Sequence, residues 1–237
     1  MKAPLATLRQ RGHTVSGYLD DFFTCAVRFS TCENSVQAMA ALFTKLGFAI
    51  HPDKSIFRPT QVIEFLGFQI NSVEMTVELP QKKKASLKKM INQLLSIKAP
   101  TIRFIAKVLG TIVAVFPASL YGPLHYRNLD HEKTWALQIS HGDYEAPHVL
   151  GKHSVAELRW WKTHIGPMKK PIHQKPITNE MFCDASDTGW GMSFTSDVGG
   201  GWTEWESALH INAKELLAIY YGLRTFSRTI SNSHIRI

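Results

Sequence analysis

Tyr18-Leu19-Asp20-Asp21 places two adjacent carboxylates between two runs of β-branched and aromatic residues. Thr-Val-Ser-Gly-Tyr precedes the pair at residues 14–18, and Phe-Phe-Thr-Cys-Ala-Val follows it at residues 22–27. Such runs favour strands and Asp favours turns, so the sequence predicts a β-hairpin with the acid pair at its turn. Two fixed carboxylates can hold divalent metal ions for phosphoryl transfer, although an ordinary solvated turn also favours Asp.

Residues 33–70 carry further motifs at close spacing. From Glu33 to Gly47 the apolar residues recur at helical intervals, and Gly47 favours the end of that helix. The strings Pro52-Asp53-Lys54-Ser55 and Phe65-Leu66-Gly67-Phe68-Gln69-Ile70 follow. The order and spacing of these strings carry more information than any one of them alone.

In this order the strings resemble the C-terminal palm motifs of a retroelement reverse transcriptase. The resemblance implies that Asp20 and Asp21 bind Mg²⁺ (or Mn²⁺), with Asp20 favoured over Asp21 as the direct ligand. It also implies that Lys54 lies near the phosphates of the incoming nucleotide, and that Phe65-Leu66-Gly67 grips the primer strand. The alternatives are an ordinary turn lysine at position 54 and plain core residues at positions 65 and 66.

A second acid-bearing pattern lies near the end of the chain. Residues 181–186 are predicted to form a strand that carries Asp184, and strands at 190–195 and 202–205 are predicted to follow. A helix is predicted after His210-Ile211-Asn212, with Glu215 beside its apolar face. That face is predicted to consist of Leu216, Ile219, Tyr220, Leu223 and Phe226.

Three strands and a helix with acids on the first strand and the helix resemble the first half of a type 1 ribonuclease H. Within that class, residues 183–191 and 210–219 are most similar to the DIRS-type, tyrosine-recombinase retrotransposons. The resemblance implies that Asp184 and Glu215 bind Mg²⁺ (or Mn²⁺) to hydrolyse the RNA strand of an RNA–DNA hybrid. The alternatives are a strand-end turn acid at Asp184, and a capping box between Asn212 and Glu215.

Composition favours a polyanionic partner. The chain of 237 residues has 27 Lys and Arg against 19 Asp and Glu, which gives a net charge of +8 and a pI near 9.4. Basic surfaces bind phosphates because binding releases counterions. Residues 80–110 hold eight basic residues and no acid. A helix is predicted there with Lys82, Lys88 and Lys89 off its apolar face, and these lysines are expected to bind nucleic acid unless they form a solvated face.

Two more helices are predicted between this lysine-rich helix and the second acid pattern. One follows Pro100 and ends at Pro117, and the other begins at Ser154, which is in capping-box register with Glu157. Residues 166–176 hold three prolines and three lysines without an acid, which indicates a basic linker.

We therefore predict an α+β fold in four parts. A partial reverse transcriptase palm is predicted at residues 1–79, and helices of a thumb and connection are predicted at 80–165. The linker is predicted at 166–176, and a truncated ribonuclease H-like α/β domain at 177–237. The expected partners are an RNA template, a DNA primer and an RNA–DNA hybrid. The contrasting interpretations are a non-catalytic, nucleic-acid-binding retroelement relic and a free-standing ribonuclease H.

Neither a membrane nor a secretory route is expected. The uncharged residues 108–124 are interrupted by glycine and proline, which favours a buried helix and loop, and no signal peptide is visible. Three cysteines without CxxC spacing predict reduced thiols in an intracellular setting, the cytoplasm or the nucleus.

Both carboxylate sites are expected to be incomplete in this chain. The resemblance calls for a palm aspartate on an earlier strand, which the thirteen residues before Thr14 do not provide, and for a third ribonuclease H acid beyond Ile237. The chain is therefore expected to be a fragment without primer extension. Mg²⁺-dependent extension of oligo-dT on poly-rA that Asp20→Asn abolishes would contradict this expectation.

Overall fold

Residues 2–173, 176–231 and 233–237 are described by a computed structural model of the chain. They divide into two units, one that ends at Ile172 and one that begins at His173. Both combine helices with antiparallel strands, which confirms the prediction of a mixed helix-and-sheet fold. The division falls inside residues 166–176, where the sequence predicts a linker. In the described part of the chain, no helix is long and apolar enough to cross a membrane.

The first unit begins with small sheets and ends with a helical bundle. Short 3₁₀ turns lie at Pro52–Lys54, Phe116–Ala118 and Gly122–Leu124. Its helices and strands, in chain order, are α1 (Lys2–Gln10), β1 (Thr14–Tyr18), β2 (Asp21–Cys25), α2 (Phe29–Lys45), β3 (Val62–Phe65), β4 (Phe68–Asn71), β5 (Thr76–Glu78), α3 (Gln81–Ser96), α4 (Ile102–Ala114), α5 (Arg127–Ile139), α6 (Lys152–His164) and β6 (Lys169–Pro171).

The strands of the first unit form two sheets. β1 and β2 pair as the predicted hairpin, and β3, β4, β5 and β6 form a four-stranded antiparallel sheet in that order. The linker prediction is wrong for residues 169–171, because β6 pairs with β5 through Val77 and Lys170. Proline is compatible with this position because β6 is an edge strand of the sheet.

The main hydrophobic core joins the sheet to α3, α4, α5 and α6. On α3 the predicted apolar face is confirmed, since Leu87, Ile91 and Leu94 are buried. α4 begins at Ile102 after Thr101, whose hydroxyl accepts a hydrogen bond from Phe104 N, and it ends before Pro117 as predicted. Trp161 of α6 is fully buried, and its indole N–H donates to the carbonyl of His125.

α5 and α6 cap each other's N-termini. Glu157 of α6 accepts hydrogen bonds from the backbone N–H groups of Asn128 and Leu129, at 3.1 and 3.0 Å. Glu132 of α5 accepts one from Gly151 N at 2.6 Å. Each carboxylate therefore satisfies orphan donors and meets the positive end of the other helix dipole.

The predicted capping box within α6 is wrong. The helix begins at Lys152 with Gly151 as its N-cap, so Ser154 already lies in the first turn. Ser154 Oγ donates to Glu132 of α5, and Glu157 caps α5, as described above. The two residues are spaced as a capping box, but both interact with the neighbouring helix because it packs directly against them.

The second unit consists of short strands and one long helix. Its helices and strands are β7 (Asn179–Glu180), β8 (Phe182–Ala185), β9 (Gly189–Ser193), β10 (Asp197–Gly201), α7 (Glu204–Ser207), α8 (Ile211–Thr225) and β11 (Ile235–Arg236). β8, β9 and β10 form an antiparallel sheet with β9 in the centre, and β11 pairs with β7 in parallel. α8 packs on β8 and β9, over a core of Met181, Met192 and Phe226.

Two predictions for this unit are wrong. The third strand is Asp197–Gly201 and not residues 202–205, because Thr203 and Glu206 form a capping box that starts α7 there. On α8, Leu216 and Tyr220 of the predicted apolar face are exposed, at 68% and 54%. The small residues Ala218 and Gly222 are buried instead, and Gly222 lets the helix approach Met192 closely.

The carboxylate of Glu132 should make the first unit sensitive to acid. Burial raises the pKa of Glu132, but hydrogen bonds from Ser154, His148 and Gly151 outweigh burial and hold the pKa below its ordinary 4.5. The stabilisation is complete above that value and is lost as the pH falls through the lower folded-state pKa. Glu132→Gln should cost about 1–3 kcal/mol of unfolding free energy at neutral pH and flatten the pH dependence below 4.5.

Chemical denaturation followed between neutral and acidic pH measures both effects. Glu64→Gln is a suitable control, because Glu64 is exposed and forms no ion pair among the described residues. Equal pH profiles for the Glu132 variant and the wild type would contradict the capping role.

Candidate carboxylate sites and nucleic-acid interface

The acid pair lies at the tip of the β1–β2 hairpin. Tyr18 pairs with Asp21, so Leu19 and Asp20 form a two-residue turn and Asp21 is the first residue of β2. Leu19 has a φ of 50°, a conformation that is uncommon for residues other than glycine. Asp20 and Asp21 are both exposed, so their carboxylates are accessible to metal ions or to solvent.

A small core fixes this hairpin to the helices beside it. The Phe22 ring packs on Phe43 of α2, with ring centroids 4.4 Å apart. Gly17 faces Phe22 across the hairpin, and a Cβ at position 17 would lie 2.7 Å from the Phe22 ring. Glycine is thus required here for a close approach, and the hairpin is held by packing directly behind the acid pair.

A second hairpin, β3–β4, lies beside the first. Leu66 and Gly67 form its two-residue turn with φ values of 51° and 75°, which defines a type I′ turn. The Phe65 ring lies 5.2 Å from the Phe23 ring of β2. Phe65 is half-buried and Leu66 is 43% exposed. The structure therefore brings the Phe65-Leu66-Gly67 turn and the acid hairpin together.

Lys83 links the second hairpin to the lysine-rich helix α3. Its Nζ donates to the carbonyl of Gly67 at 2.9 Å, and it lies 5.8 Å from the centre of the Phe68 ring. A Cβ at Gly67 would lie 1.9 Å from this Nζ. This role could not be recognised from local sequence, because Lys83 is one of three consecutive lysines.

The other lysines of α3 divide between solvent and core. Lys82, Lys88 and Lys89 are exposed and form no ion pair among the described residues. Lys84 is buried; its Nζ lies 2.7 Å from Glu78 and donates to the Gly166 carbonyl at 3.1 Å. Since the first turn of α3 contains no acid, the exposed Lys82 lies at the positive end of the helix dipole without an acid from its own turn to offset it.

Lys54 is exposed and ends the 3₁₀ turn Pro52–Lys54. The sequence analysis expects this lysine near nucleotide phosphates, and this assignment remains a prediction. An ordinary turn lysine has the same environment.

In the second unit, Asp184 lies on β8 and Glu215 lies one turn into α8. Both are exposed. Cys183 is the neighbour of Asp184 on β8; burial raises the pKa of its thiol, and the negative charges of Asp184 and Glu215 raise it further. The strand alternates, so Cys183 packs towards the core and Asp184 points towards solvent.

The capping alternative for Glu215 is wrong. α8 begins at Ile211 with His210 as its N-cap, and His210 Nδ1 accepts a hydrogen bond from Asn212 N at 3.2 Å. Asn212 therefore lies within the first turn, where it cannot form the predicted box with Glu215. The carboxylate of Glu215 is left free of a capping role.

Lys214 is a residue near this site that the sequence analysis did not identify. Its side chain is only 3% exposed, and its Nζ lies 3.2 Å from Oδ1 of Asp187 in the turn after β8. A buried cation needs an anionic partner, so this contact fixes the end of β8 against α8. The buried position within an otherwise ordinary Ala-Lys-Glu-Leu string could not be recognised from periodicity.

Carboxylate oxygens are the ligands that Mg²⁺ and Mn²⁺ prefer, so both acid pairs have suitable chemistry. Among the residues that the structure describes, no group of three or more histidine, cysteine or carboxylate side chains is gathered for a metal. The assignment of Asp20 with Asp21, and of Asp184 with Glu215, to metal sites remains a prediction.

Comparison with known proteins supports the fold. No protein-family profile and no curated protein matches the chain. A foamy viral protease-reverse transcriptase in complex with RNA/DNA hybrid aligns over 99% of this chain and 31% of its own, with a TM-score of 0.57 and 13% identity. The dRH form in complex with ds DNA aligns over 98% and 40%, with a TM-score of 0.56 and 14% identity.

A third structure, the foamy viral protein in complex with dsDNA, aligns over 98% of this chain and 48% of its own, with a TM-score of 0.52 and 14% identity. This chain thus spans less than half of each of these proteins. Its mixed helix-and-sheet fold resembles that of these reverse transcriptase structures, which confirms the general fold class that the sequence predicts.

Magnesium should test whether Asp184 and Glu215 share a site. Like charges close together destabilise the fold, so Mg²⁺ should raise the thermal midpoint by about 2–4 °C. Without metal, the Asp184→Asn variant should have a higher thermal midpoint than the wild type. Mg²⁺ should raise the midpoint of this variant much less than it raises that of the wild type. Calorimetry in an Asp20→Asn, Asp21→Asn background isolates this site from the first acid pair.

Asp197→Asn is the matched control, because Asp197 is an exposed acid on β10 of the same unit. A shared site predicts that only the Asp184 and Glu215 variants change the response to Mg²⁺. The same response in the Asp184 and Asp197 variants would rule the shared site out.

Proposed function

We propose that this chain is a retroelement reverse transcriptase and ribonuclease H segment that binds an RNA–DNA hybrid. The observation that carries the proposal is the contact chain from the acid hairpin, through Phe23 and Phe65, to Gly67 and Lys83 of α3. It joins a carboxylate pair, a hairpin turn and a lysine-rich helix within one unit. In the intact protein this unit would add deoxynucleotides to a primer on an RNA or DNA template.

The roles of the groups follow from their chemistry. Asp20 and Asp21 would hold Mg²⁺ (or Mn²⁺) at the primer end, where two metal ions stabilise the attacking and leaving oxygens. Lys54 would bind the phosphates of the incoming nucleotide. Leu66 and Gly67 present an exposed type I′ turn that would contact the primer strand, and the exposed lysines of α3 would bind backbone phosphates.

The second unit supports a ribonuclease H role for the same protein. β8, β9 and β10 with α8 follow the order of three strands and a helix that the resemblance implies, and Ile235–Arg236 adds a parallel strand beside Asn179–Glu180. Asp184 and Glu215 would bind the metal ion, which supplies activated water against the RNA phosphate. Cys183, whose bulk is turned to the core, would help to fix the strand.

The class of retroelement is a more detailed part of this proposal. The strings Cys-Asp-Ala-Ser-Asp-Thr-Gly-Trp-Gly at 183–191 and Ile-Asn-Ala-Lys-Glu-Leu at 211–216 favour a DIRS-type retrotransposon. Cys25, Cys32 and Cys183 are free thiols, which suits an intracellular compartment.

A second candidate function is a nucleic-acid-binding relic without catalysis. All four candidate carboxylates are exposed, and among the described residues no group of three or more potential metal ligands is gathered; both observations favour this candidate. The two candidates share the lysine surface and differ only in chemistry. Hybrid binding with no response of the thermal midpoint to Mg²⁺ would favour the relic, because a retained metal site should respond to Mg²⁺ even where it is incomplete.

Salt dependence tests the nucleic-acid surface that both candidates share. Affinity for an RNA–DNA hybrid should fall with salt by a log–log slope of about −0.7 to −0.9 for each phosphate contact. Replacing Lys82, Lys88 and Lys89 by Gln should therefore flatten the slope by about 2–3. Fluorescence anisotropy with a labelled hybrid over a salt series measures this change.

Three lysines elsewhere in the first unit provide the control. Lys2, Lys45 and Lys107 are exposed, and their replacement by Gln removes the same total charge. The slope should change in the first triple variant and not in the second. Equal slopes in both variants would assign Lys82, Lys88 and Lys89 to a solvated face.

A further inference from the structure

A groove of about 480 Å³ lies in the first unit where the end of α3 meets α6. Its floor is aliphatic, with Leu94 fully buried and Leu150 half-buried. Ile97 and Val149 line the groove and are 39% and 62% exposed. Aliphatic surface beside the hydrophobic core is therefore open to solvent along this groove.

Three cations line the same groove. Lys98 follows α3, and Arg159 and Lys162 lie three residues apart on α6, where side chains share a helix face. All three are exposed, and none forms an ion pair among the described residues. In the described part of the chain no acid lines the groove, so these three cations have no anionic partner there.

We propose that this groove binds a short acidic segment of a partner protein that carries aliphatic side chains. Apolar anchors would displace water from Ile97, Val149 and Leu150, while carboxylates would pair with Arg159, Lys162 and Lys98. Charge complementarity selects the acidic partner, and the aliphatic floor selects its anchors. Arg159 supplies the planar guanidinium that binds carboxylates through two hydrogen bonds.

Single-stranded nucleic acid fits this groove less well. Bases bind to proteins by stacking on aromatic side chains, and every apolar residue that lines the groove is Leu, Ile or Val. The groove is lined by other cations than those of the proposed hybrid surface, since Lys82, Lys88 and Lys89 are not among its lining residues.

The test uses the full chain and a fluorescein-labelled probe peptide of glutamate and leucine, with the leucines spaced at i and i+4. A second peptide of the same composition in scrambled order has the same charge. The patterned peptide should bind more tightly than the scrambled one. The double variant Arg159→Glu, Lys162→Glu should weaken its binding by about tenfold or more, since charged hydrogen bonds are lost and repulsion is added.

Two further variants separate groove binding from general attraction to a basic protein. Val149→Asn should weaken binding of the patterned peptide without a change in net charge. Lys45→Glu, Lys107→Glu carries the same charge change as the double variant, at exposed positions outside the groove, and should bind almost as the wild type does.

Equal weakening in both double variants, or equal affinity for both peptides, would overturn the proposal. A labelled oligo-dT strand provides the remaining arm. Loss of oligo-dT binding in the Arg159, Lys162 variant, with no binding of the patterned peptide to the wild type, would assign the groove to nucleic acid instead.

Discussion

The ion pair between Lys84 and Glu78 holds the first unit together where its sheet meets its helices. The Lys84 side chain is 6% exposed and the Glu78 side chain 12%, and their charged atoms lie 2.7 Å apart. Glu78 also accepts a hydrogen bond from Gln69 of β4, and Lys84 donates to Gly166 after α6. One pair therefore joins β4, β5, α3 and the entry to β6.

Because both charges are buried, neither can be removed alone without leaving the other unpaired, which costs about 3–5 kcal/mol. Lys84 fixes the rotation of α3. Lys83 is thereby directed to the Gly67 carbonyl, while Lys82, Lys88 and Lys89 face solvent. The proposed nucleic-acid surface is thus a consequence of one buried lysine among exposed ones.

Sequence periodicity predicted the helices and strands whose buried residues follow a regular repeat. It failed where contacts with a neighbouring element decide the role of a side chain. The β1–β2 hairpin, the buried face of α3 and the span of α4 all follow from local patterns. The role of Glu157 does not, because its partners Asn128 and Leu129 are 29 and 28 residues away. The buried Lys84 could not be predicted either, since its neighbours in sequence are also lysines.

The candidate sites show the same limit. Asp20, Asp21, Asp184 and Glu215 were identified from their strings, and the structure places Asp20 in the hairpin turn, Asp21 and Asp184 on strands and Glu215 on a helix. Lys83 and Lys214, which hold the elements beside those acids, make contacts across 16 and 27 residues. Propensity is local, whereas positioning contacts of this length depend on how the helices and strands within each unit pack.

The Gly67 turn also constrains how this chain can drift in sequence. Any other residue at position 67 must adopt a φ of 75° and displace the Nζ of Lys83, which lies 1.9 Å from the new Cβ at the end of a flexible, exposed side chain. Asparagine tolerates that backbone conformation, but it would move Lys83 away from the Gly67 carbonyl. The two positions are therefore coupled: a lineage that exchanges Gly67 also gives up the contact that ties this turn to α3.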